Sequence, residues 1–296
     1  MLSIVIPTKD RPALLADTLA SLAGSEPLPG EVIVVDASAG DASRAVVEAA
    51  QAATPGIVFR HLRSAPGACR QRNLALHEVR GAVVAFLDDD VTLALRSLAR
   101  LVAPLAEPDV VGVTGKVVEP SPRRIQTKHS PLRRLLPGAG AQGTMMRCGY
   151  PNRLWSVDEP HAVETMNGCF MAARADDARA VGFDERLEAP GGYALLDDED
   201  FAYRLSRRGR LRYVPEAVIE HRNAGFSSSR AREFNRSLVR NRRLTFLKSF
   251  RATPAARVQW WTLMAIHVLH RAVQRDWAGA RGLLEGLRDV ARGSAP

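Results

Sequence analysis

Short apolar runs alternate with helical patterns over the first 115 residues, and this alternation restricts the fold more than any other feature. The apolar runs occupy residues 2–7, 31–36, 56–61, 82–88 and 109–115, and segments of helical periodicity lie between most of them. Strands that alternate with helices of about 10–15 residues indicate βαβ crossovers. We therefore expect an α/β fold in which helices flank a mostly parallel central sheet.

Polar residues follow three of these runs at the point where each run stops. Thr8 follows the first run, Asp36 closes the second, and an acidic cluster at residues 88–90 follows the fourth. Ligands of open α/β sheets bind outside the carboxyl ends of the strands. We expect these residues to lie on one rim of the sheet and to form a binding site there.

The acidic cluster consists of Asp88, Asp89 and Asp90. Neighbouring like charges repel each other, and burial increases the cost. Alternate side chains of an extended chain point the same way, so Asp88 and Asp90 can share a face. Mg²⁺ and Mn²⁺ prefer oxygen ligands and often use only one or two protein carboxylates. The cluster therefore indicates a divalent-cation site, and the alternative is an acidic turn that caps a helix beginning near Leu93.

A second acidic cluster, Asp197, Asp198, Glu199 and Asp200, begins an amphipathic helical pattern. The helix dipole favours negative charge at a helix N-terminus, which accounts for one or two of these residues. One of the others can act as a general base. His221 ends a later strand-like run and is a candidate metal ligand, although an isolated His more often has a structural role.

Small residues follow Asp36, so its carboxylate can accept hydrogen bonds from the ribose or base of a nucleoside. Helix capping is the alternative in this region, where Asp41 and Ser43 could also serve. Arg70 and Arg72 follow in a helical pattern, and Arg suits diphosphate oxygens or stacking on a base. Ordinary surface arginines are the alternative.

The chain changes character after residue 115. Residues 116–165 contain six Pro and four Gly, which predicts a long loop region with little regular structure. Strand and helix patterns return in residues 166–223, and residues 224–296 have helical periodicity. We therefore expect one domain at 1–223 and a C-terminal helical extension at 224–296.

Charge is distributed unevenly along the chain, whose formal net charge is +9. Residues 204–296 carry 20 Lys and Arg against 6 Asp and Glu, whereas residues 1–203 carry 21 against 26. A basic segment with interleaved Phe and Trp favours a polyanionic partner, either an anionic membrane surface or nucleic acid. The alternatives are a solvated helix face, or helices that pack on the first domain or on a second subunit in a homodimer.

Cysteine usage and apolar runs limit the cellular location. The three cysteines contain no C-x-x-C pair, which argues against a disulfide framework or a thiolate zinc site. The N-terminus runs directly into a strand pattern and shows no secretion signal. The longest strongly apolar run, residues 260–269, is far shorter than the roughly 20 residues of a membrane-spanning helix. We expect a cytoplasmic protein, either free or peripheral at the inner face of the cell membrane.

Eight segments follow one another along the chain: "SIVIPTKDRPALLADTLASL", "EVIVVDASAGD", "GACRQRNLAL", "VAFLDDDV", "NGCFMAAR", "GFDERL", "DEDFAYRLSRRG" and "VIEH". In this order and at these separations, which span residues 2 to about 223, they resemble the family 2 glycosyltransferases with the GT-A fold. The resemblance implies a Rossmann-like sheet and an inverting transferase that uses a nucleoside-diphospho-sugar and a divalent cation, Mn²⁺ or Mg²⁺. It also implies a nucleotide-sugar binding half at 1–115 and an acceptor and catalytic half at 166–223, and we expect the loop region between them, at 116–165, to be mobile.

By similarity, the resemblance also assigns site residues. Those at the nucleotide-sugar are Pro7, Thr8, Asp36, Arg72, Asp88, Asp89 and Gly168. Asp90 and His221 are the implied metal ligands, with Asp88 and Asp90 forming the D-x-D motif. Asp200 matches the catalytic base, but four consecutive acids leave Asp198 and Glu199 as alternatives.

The implied activity is transfer of a sugar to a hydroxyl acceptor, with a glycan or lipid-linked glycan of the cell envelope as the expected acceptor. A sugar nucleotidyltransferase is one alternative, but it predicts a Gly-rich loop after the first strand, which "IPTKDRPALL" does not contain. A basic nucleic-acid-binding protein is another, and it leaves the acidic rim unexplained. We therefore do not expect nucleic acid as a partner.

Overall fold

The computed structural model describes residues 1–26, 28–119, 140–154, 158–189, 193–222 and 230–293. The chain divides into two compact units, of which the first comprises Met1–Ser121 and Ser156–Ala224 and the second Pro122–Trp155 and Gly225–Pro296. Most of the range 116–165 therefore belongs to the second unit. Residues 120–139 and 155–157 of the expected mobile loop region lie outside the described residues.

Nine strands of the described residues form one sheet in the first unit: β1 (Leu2–Thr8), β2 (Glu31–Asp36), β3 (Val58–Arg63), β4 (Val83–Leu87), β5 (Val91–Leu93), β6 (Val110–Val118), β7 (His161–Val163), β8 (Phe170–Arg174) and β9 (Arg210–His221). Their order is β3-β2-β1-β4-β8-β6-β9-β5, and β7 also pairs with β9. β1, β2, β3, β4, β6 and β9 run in one direction, and β5, β7 and β8 run against them. The expected α/β fold with a mostly parallel central sheet is confirmed.

Six helices of the described residues flank this sheet: α1 (Pro12–Ala23), α2 (Ala42–Ala53), α3 (Ala68–Glu78), α4 (Ser97–Val102), α5 (Ala175–Val181) and α6 (Asp197–Leu205). α1 begins at Pro12, whose fixed φ suits the first turn of a helix. The spacing of Leu15, Leu19 and Leu22 places all three on one face, and all three are buried in the core. Because helices cover the sheet, β2 contains an uninterrupted apolar run, Val32–Val35, and every residue of β2 is buried.

The directions of the strands bring the site residues together. β1, β2 and β9 end at Thr8, Asp36 and His221, and these three strands point the same way. β4 also points that way and ends just before Asp88. The chain then turns back as β5, which pairs antiparallel with β9 so that Val91 lies opposite His221. Asp90, the residue before Val91, is therefore placed beside His221.

The described helices of the second unit are α7 (Ala231–Ser249), α8 (Pro254–Val273) and α9 (Trp277–Ala291). Their core includes Trp260, Phe246 and Leu283, together with Met146 and Tyr150 from the segment 140–154. The side chain of Thr253 caps α8 by accepting the Ala256 N–H, and Asp276 caps α9 by accepting the Gly279 N–H. No helix in the described part of the chain has the length and apolar character needed to cross a membrane.

α7 and α9 approach each other closely at two glycines. A Cβ atom at Gly282 would lie 2.1 Å from the backbone oxygen of Arg232, and one at Gly286 would lie 2.8 Å from the Cβ of Val239. Ion pairs between Arg232 and Glu285 at 2.6 Å and between Arg236 and Asp289 at 2.7 Å also join the two helices. The contact therefore requires residues without side chains along one stripe of α9.

Candidate active site

Asp88, Asp90 and His221 form a cluster in which one ligand atom from each lies within 4.8 Å of the others. His221 Nε2 is 3.0 Å from Asp90 Oδ1 and 3.9 Å from Asp88 Oδ2. Two carboxylates and one imidazole can hold a divalent cation and leave other coordination positions for a substrate. The residues therefore fit the divalent cation that the sequence predicts. They include Asp90 and His221, the two ligands that the resemblance implies, together with Asp88, which it assigns to the nucleotide-sugar.

The pKa of His221 is affected by its acidic neighbours, Asp88 and Asp90. Burial lowers the pKa of His221, but the hydrogen bond to Asp90 and the charges of Asp88 and Asp90 outweigh burial, so the pKa is raised above its ordinary value. The cluster thus favours a positive charge at its centre, from a protonated imidazole or from a bound cation.

Asp89 points away from this cluster, as the alternation of side chains predicts. Its Oδ2 accepts a hydrogen bond from Thr8 Oγ1 at 2.6 Å, and its Oδ1 lies 3.2 Å from Nη1 of Arg11. Burial raises the pKa of Asp89 to about 6, although Thr8 and Arg11 act in the opposite direction. Asp89 therefore connects the end of β1 to the acidic loop.

Arg72 lies between the two acidic clusters. Its Nη1 is 2.5 Å from Asp197 Oδ2, its Nη2 is 3.1 Å from Asp88 Oδ1, and its guanidinium lies over the ring of Phe183. Burial alone lowers the pKa of Arg72, but Asp197 and Asp88 raise it, so Arg72 stays charged. The sequence predicts Arg72 at the nucleotide, and in the structure its guanidinium bridges the two carboxylates.

The four acids in the first turn of α6 have different environments. Asp197, Glu199 and Asp200 are buried, whereas Asp198 is half-buried. Asp200 is 1% exposed, and its Oδ2 lies 2.9 Å from Nε and 2.8 Å from Nη2 of Arg204. Because Arg204 also donates to the carbonyl oxygens of Val181 and Gly182, the ion pair is fixed inside the protein. Asp200, the predicted base, is therefore enclosed by Arg204.

Asp198 faces the loop that precedes β8. Its Oδ2 accepts the backbone N–H of Gly168 at 3.1 Å, and its Oδ1 accepts the N–H of Glu199 at 2.8 Å. A Cβ atom at Gly168 would lie 2.9 Å from the Cβ of Asp198, so a side chain cannot be added there without displacing the acid. Asn167 anchors the same loop by donating to Thr114 Oγ1 and to the Gly115 carbonyl oxygen.

Asp36 lies at the carboxyl end of β2 and is completely buried. Its Oδ1 accepts the N–H of Ser38 at 2.8 Å, and its Oδ2 lies 3.1 Å from His61 Nε2 and 3.0 Å from Arg63 Nη1. Burial raises the pKa of Asp36, but these three partners outweigh burial and lower the pKa below its ordinary value. Asp36 is therefore held as a carboxylate.

His61, Arg63 and Gln71 were not predicted. Arg63 lies opposite Asp36 in the parallel register of β2 and β3. This contact could have been predicted from the pairing of the two strands, but not from the pattern of either strand alone. Gln71 Nε2 donates to the carbonyl oxygens of Thr8 and Val35, which joins the ends of β1 and β2.

Two predicted residues have less direct roles at the rim. Pro7 is half-buried and lies opposite Val35 in the pairing of β1 with β2. The backbone N–H of Arg70 donates to Glu188 Oε1, and its side chain lies 3.4 Å from Glu185 Oε2. Arg70 therefore contacts the segment after α5 rather than the acidic clusters.

Comparisons with known proteins identify the family and the fold. The family model "Glycosyl transferase family 2" matches residues 3–174. No curated protein matches the sequence. Among the similar solved structures, mannosyltransferase PcManGT from Pyrobaculum calidifontis is 16% identical with a TM-score of 0.61, and the match covers 97% of this chain and 86% of that chain. GalNAc-T7 is 18% identical with a TM-score of 0.57, and the match covers 80% of this chain and 47% of that chain. S. aureus TarS 1-349 is 16% identical with a TM-score of 0.54, and the match covers 97% of this chain and 91% of that chain. At these identities the likeness concerns the fold, which is GT-A. The chain therefore belongs to glycosyl transferase family 2.

Proposed function

We propose that the protein transfers a sugar from a nucleoside-diphospho-sugar to an acceptor hydroxyl, with inversion at the anomeric carbon. The observation that carries the proposal is that one buried cation, Arg72, joins a candidate metal cluster to the helix turn that presents Asp198. An inverting displacement needs a base for the acceptor and positive charge for the leaving diphosphate, which the acids of α6 and the candidate metal cluster would supply. The solved structures named above also support the use of a nucleotide-sugar. PcManGT is in complex with GDP-Man and Mn²⁺, GalNAc-T7 with UDP, GalNAc and Mn²⁺, and TarS 1-349 with UDP-GlcNAc.

The donor would bind along the carboxyl ends of the strands. Asp36 would receive hydrogen bonds from the nucleoside in exchange for one of its present partners, His61 or Arg63, because its carboxylate is completely buried and paired in this structure. Its lowered pKa keeps it a carboxylate near neutral pH. Asp88, Asp90 and His221 would hold Mn²⁺ or Mg²⁺, which as a Lewis acid stabilises a departing diphosphate. Thr8 and Asp89 fix the loop that carries these ligands.

We propose Asp198 as the general base. Asp200 is enclosed by Arg204, and Glu199 is buried, whereas Asp198 is the half-buried acid of the four. In the reaction, the acceptor oxygen forms a bond to the anomeric carbon, and its proton passes to Asp198. The bond between the anomeric carbon and the diphosphate oxygen breaks, and its electron pair leaves with the diphosphate. The N–H groups of Gly168 and Glu199 hold the Asp198 carboxylate in position.

The acceptor would approach from the side of Tyr193, which is 54% exposed. Desolvation, followed by the charges of Asp88, Asp197 and Asp198, raises the pKa of Tyr193 to about 12, so its hydroxyl group stays protonated. An exposed aromatic ring with a hydroxyl group suits a carbohydrate acceptor, which presents both apolar and polar faces. We propose a glycan or lipid-linked glycan of the cell envelope as the acceptor.

The proposal is tested by calorimetry with UDP, GDP and dTDP, with and without Mn²⁺, followed by donor hydrolysis across a panel of nucleotide-sugars. We expect one nucleotide to bind with Mn²⁺-dependent affinity and its sugar conjugate to be hydrolysed slowly. Release of pyrophosphate from a nucleoside triphosphate and a sugar phosphate would instead identify a sugar nucleotidyltransferase. Binding of RNA or DNA without binding of any nucleoside diphosphate would identify a nucleic-acid-binding protein.

A further inference from the structure

The outer face of α8 is apolar along its whole length. Of the nine exposed residues of this helix, only Arg257 is charged and only Thr262 is otherwise polar. Val258, Leu269 and Val273 are 65%, 53% and 74% exposed, and Trp261 is 42% exposed. With Ala265, these residues recur at spacings of three or four, so they form one stripe, which we call the outer stripe.

The opposite face of α8 is already packed. Trp260, Leu263 and Met264 are each 1% exposed in the core of the second unit. The helix is therefore apolar on both sides, a pattern that normally indicates burial on both sides. A contiguous exposed apolar surface of this kind marks an interaction site.

Basic residues outnumber acidic residues around the outer stripe; Asp276, which pairs with Arg271, follows the end of α8. Residues 234–275 contain nine Lys and Arg and no Asp or Glu. Arg251 and Arg257 lie at the beginning of α8 and Arg275 follows its end; all three are exposed and, among the described residues, none of them forms an ion pair. Trp277, which is 67% exposed, follows at the start of α9.

This distribution of charge distinguishes between two possible binding partners of the outer stripe, a second copy of the chain and a lipid surface. A second copy that packed its outer stripe on this one would bring the same arginines together, and Asp276, the acid beside Arg275, is already paired with Arg271, which disfavours a symmetric dimer. An anionic lipid surface offers the opposite arrangement, since its acyl layer accepts apolar side chains and its phosphates accept arginines. Trp is also enriched at the membrane–water interface.

We infer that the outer stripe of α8 binds the surface of an anionic lipid bilayer. Val258, Trp261, Leu269 and Val273 enter the boundary between headgroups and acyl chains, and the arginines at the two ends of α8 contact lipid phosphates. This interaction uses no residue of the candidate active site, so it stands apart from the proposed activity.

Flotation of the full-length protein with vesicles tests the inference. We expect binding to phosphatidylcholine vesicles that contain phosphatidylglycerol, weaker binding as salt is raised, and little binding to phosphatidylcholine alone. Leu269→Glu and, separately, Val273→Glu should each weaken binding about tenfold, because each places a charge in the acyl boundary. Leu95→Glu is the matched control, since Leu95 is 70% exposed in the first unit, and it should bind like the wild type.

A second pair of substitutions tests the charges. Arg257→Gln together with Arg275→Gln should weaken binding to anionic vesicles about tenfold and reduce its salt dependence. The blue shift of tryptophan fluorescence on binding should decrease in Trp261→Phe. Thermal unfolding of each variant should match the wild type, because all of these side chains are exposed.

Two results would overturn the inference. One is anionic-vesicle binding that is absent, or that Leu269→Glu and Val273→Glu leave unchanged. The other is a dimer in sedimentation velocity that both substitutions convert to monomer while vesicle binding is absent, which would show that a second copy covers the outer stripe.

Discussion

Arg72 and Asp197 form a buried ion pair, with 2.5 Å between Nη1 and Oδ2, although 125 positions separate them in the sequence. The same guanidinium lies 3.1 Å from Asp88. One cation therefore compensates an acid from each of the two clusters. This arrangement explains how the chain places several carboxylates on one rim without separating them by repulsion.

Replacing Arg72 should destabilise the fold. Arg72→Met leaves the buried Asp197 without its partner, so we expect the free energy of unfolding in urea to fall by about 3 kcal/mol. Arg72→Met combined with Asp197→Leu should recover a large part of this loss, because no uncompensated charge then remains at residue 197. A double variant no more stable than the single one would show that the ion pair is not the cause.

Asp198→Asn and Asp200→Asn should affect different properties. Asp198→Asn removes the proposed base from a half-buried site, so we expect kcat to fall about 100-fold or more while unfolding and nucleotide binding stay near wild type. Asp200→Asn weakens the buried ion pair with Arg204, so we expect the free energy of unfolding to fall by about 2 kcal/mol.

Rates of sugar transfer at saturating donor, measured on folded protein, distinguish the two variants. If Asp200→Asn stays fully folded and loses transfer while Asp198→Asn keeps it, the base is Asp200, as the sequence resemblance implies.

Asp90→Ala and His221→Ala should each weaken Mn²⁺ binding by more than about tenfold, since each removes one of three proposed ligands. Electron paramagnetic resonance of free Mn²⁺ in the presence of UDP or GDP measures this affinity. Asp176→Asn is a suitable control, because the Asp176 side chain is 98% exposed on α5. Equal affinity in all three variants would exclude the cluster as the cation site.

Gly168→Ala tests the contact between the loop before β8 and Asp198. The added Cβ would lie 2.9 Å from the Asp198 Cβ, so the carboxylate must move, and we expect kcat to fall about tenfold. Gly40→Ala is the matched control, because no atom lies within 4 Å of its added Cβ. Equal kcat in the two variants would show that the position of Asp198 does not depend on this contact.

Much of the first unit could be predicted from local patterns. The five apolar runs that predicted strands correspond to β1, β2, β3, β4 and β6. Thr8, Asp36 and Asp88 could be placed on one rim because parallel strands put their carboxyl ends together.

Partners distant in sequence could not be predicted in this way. The contacts of Asp36 with His61 and Arg63 depend on the register of β2 with β3, and the enclosure of Asp200 depends on how α6 packs. In the segment 140–154, Met146 and Tyr150 lie in the core of the second unit. Proline and glycine content indicates an absence of regular structure, but it does not show which core an irregular segment joins.

β8 runs antiparallel to its neighbours β4 and β6, and this direction determines which loop can change in sequence without disturbing the sheet. Because β8 runs against β4, the residues at the rim are those that precede β8, not those that follow it. The pairing of residues 83–87 with residues 170–174 lies inside the sheet and fixes the register of β8 against β4. Mutation of the loop at 164–169 can therefore alter the surface offered to the proposed acceptor while the strand register that positions Asp36 and Asp88 is inherited unchanged.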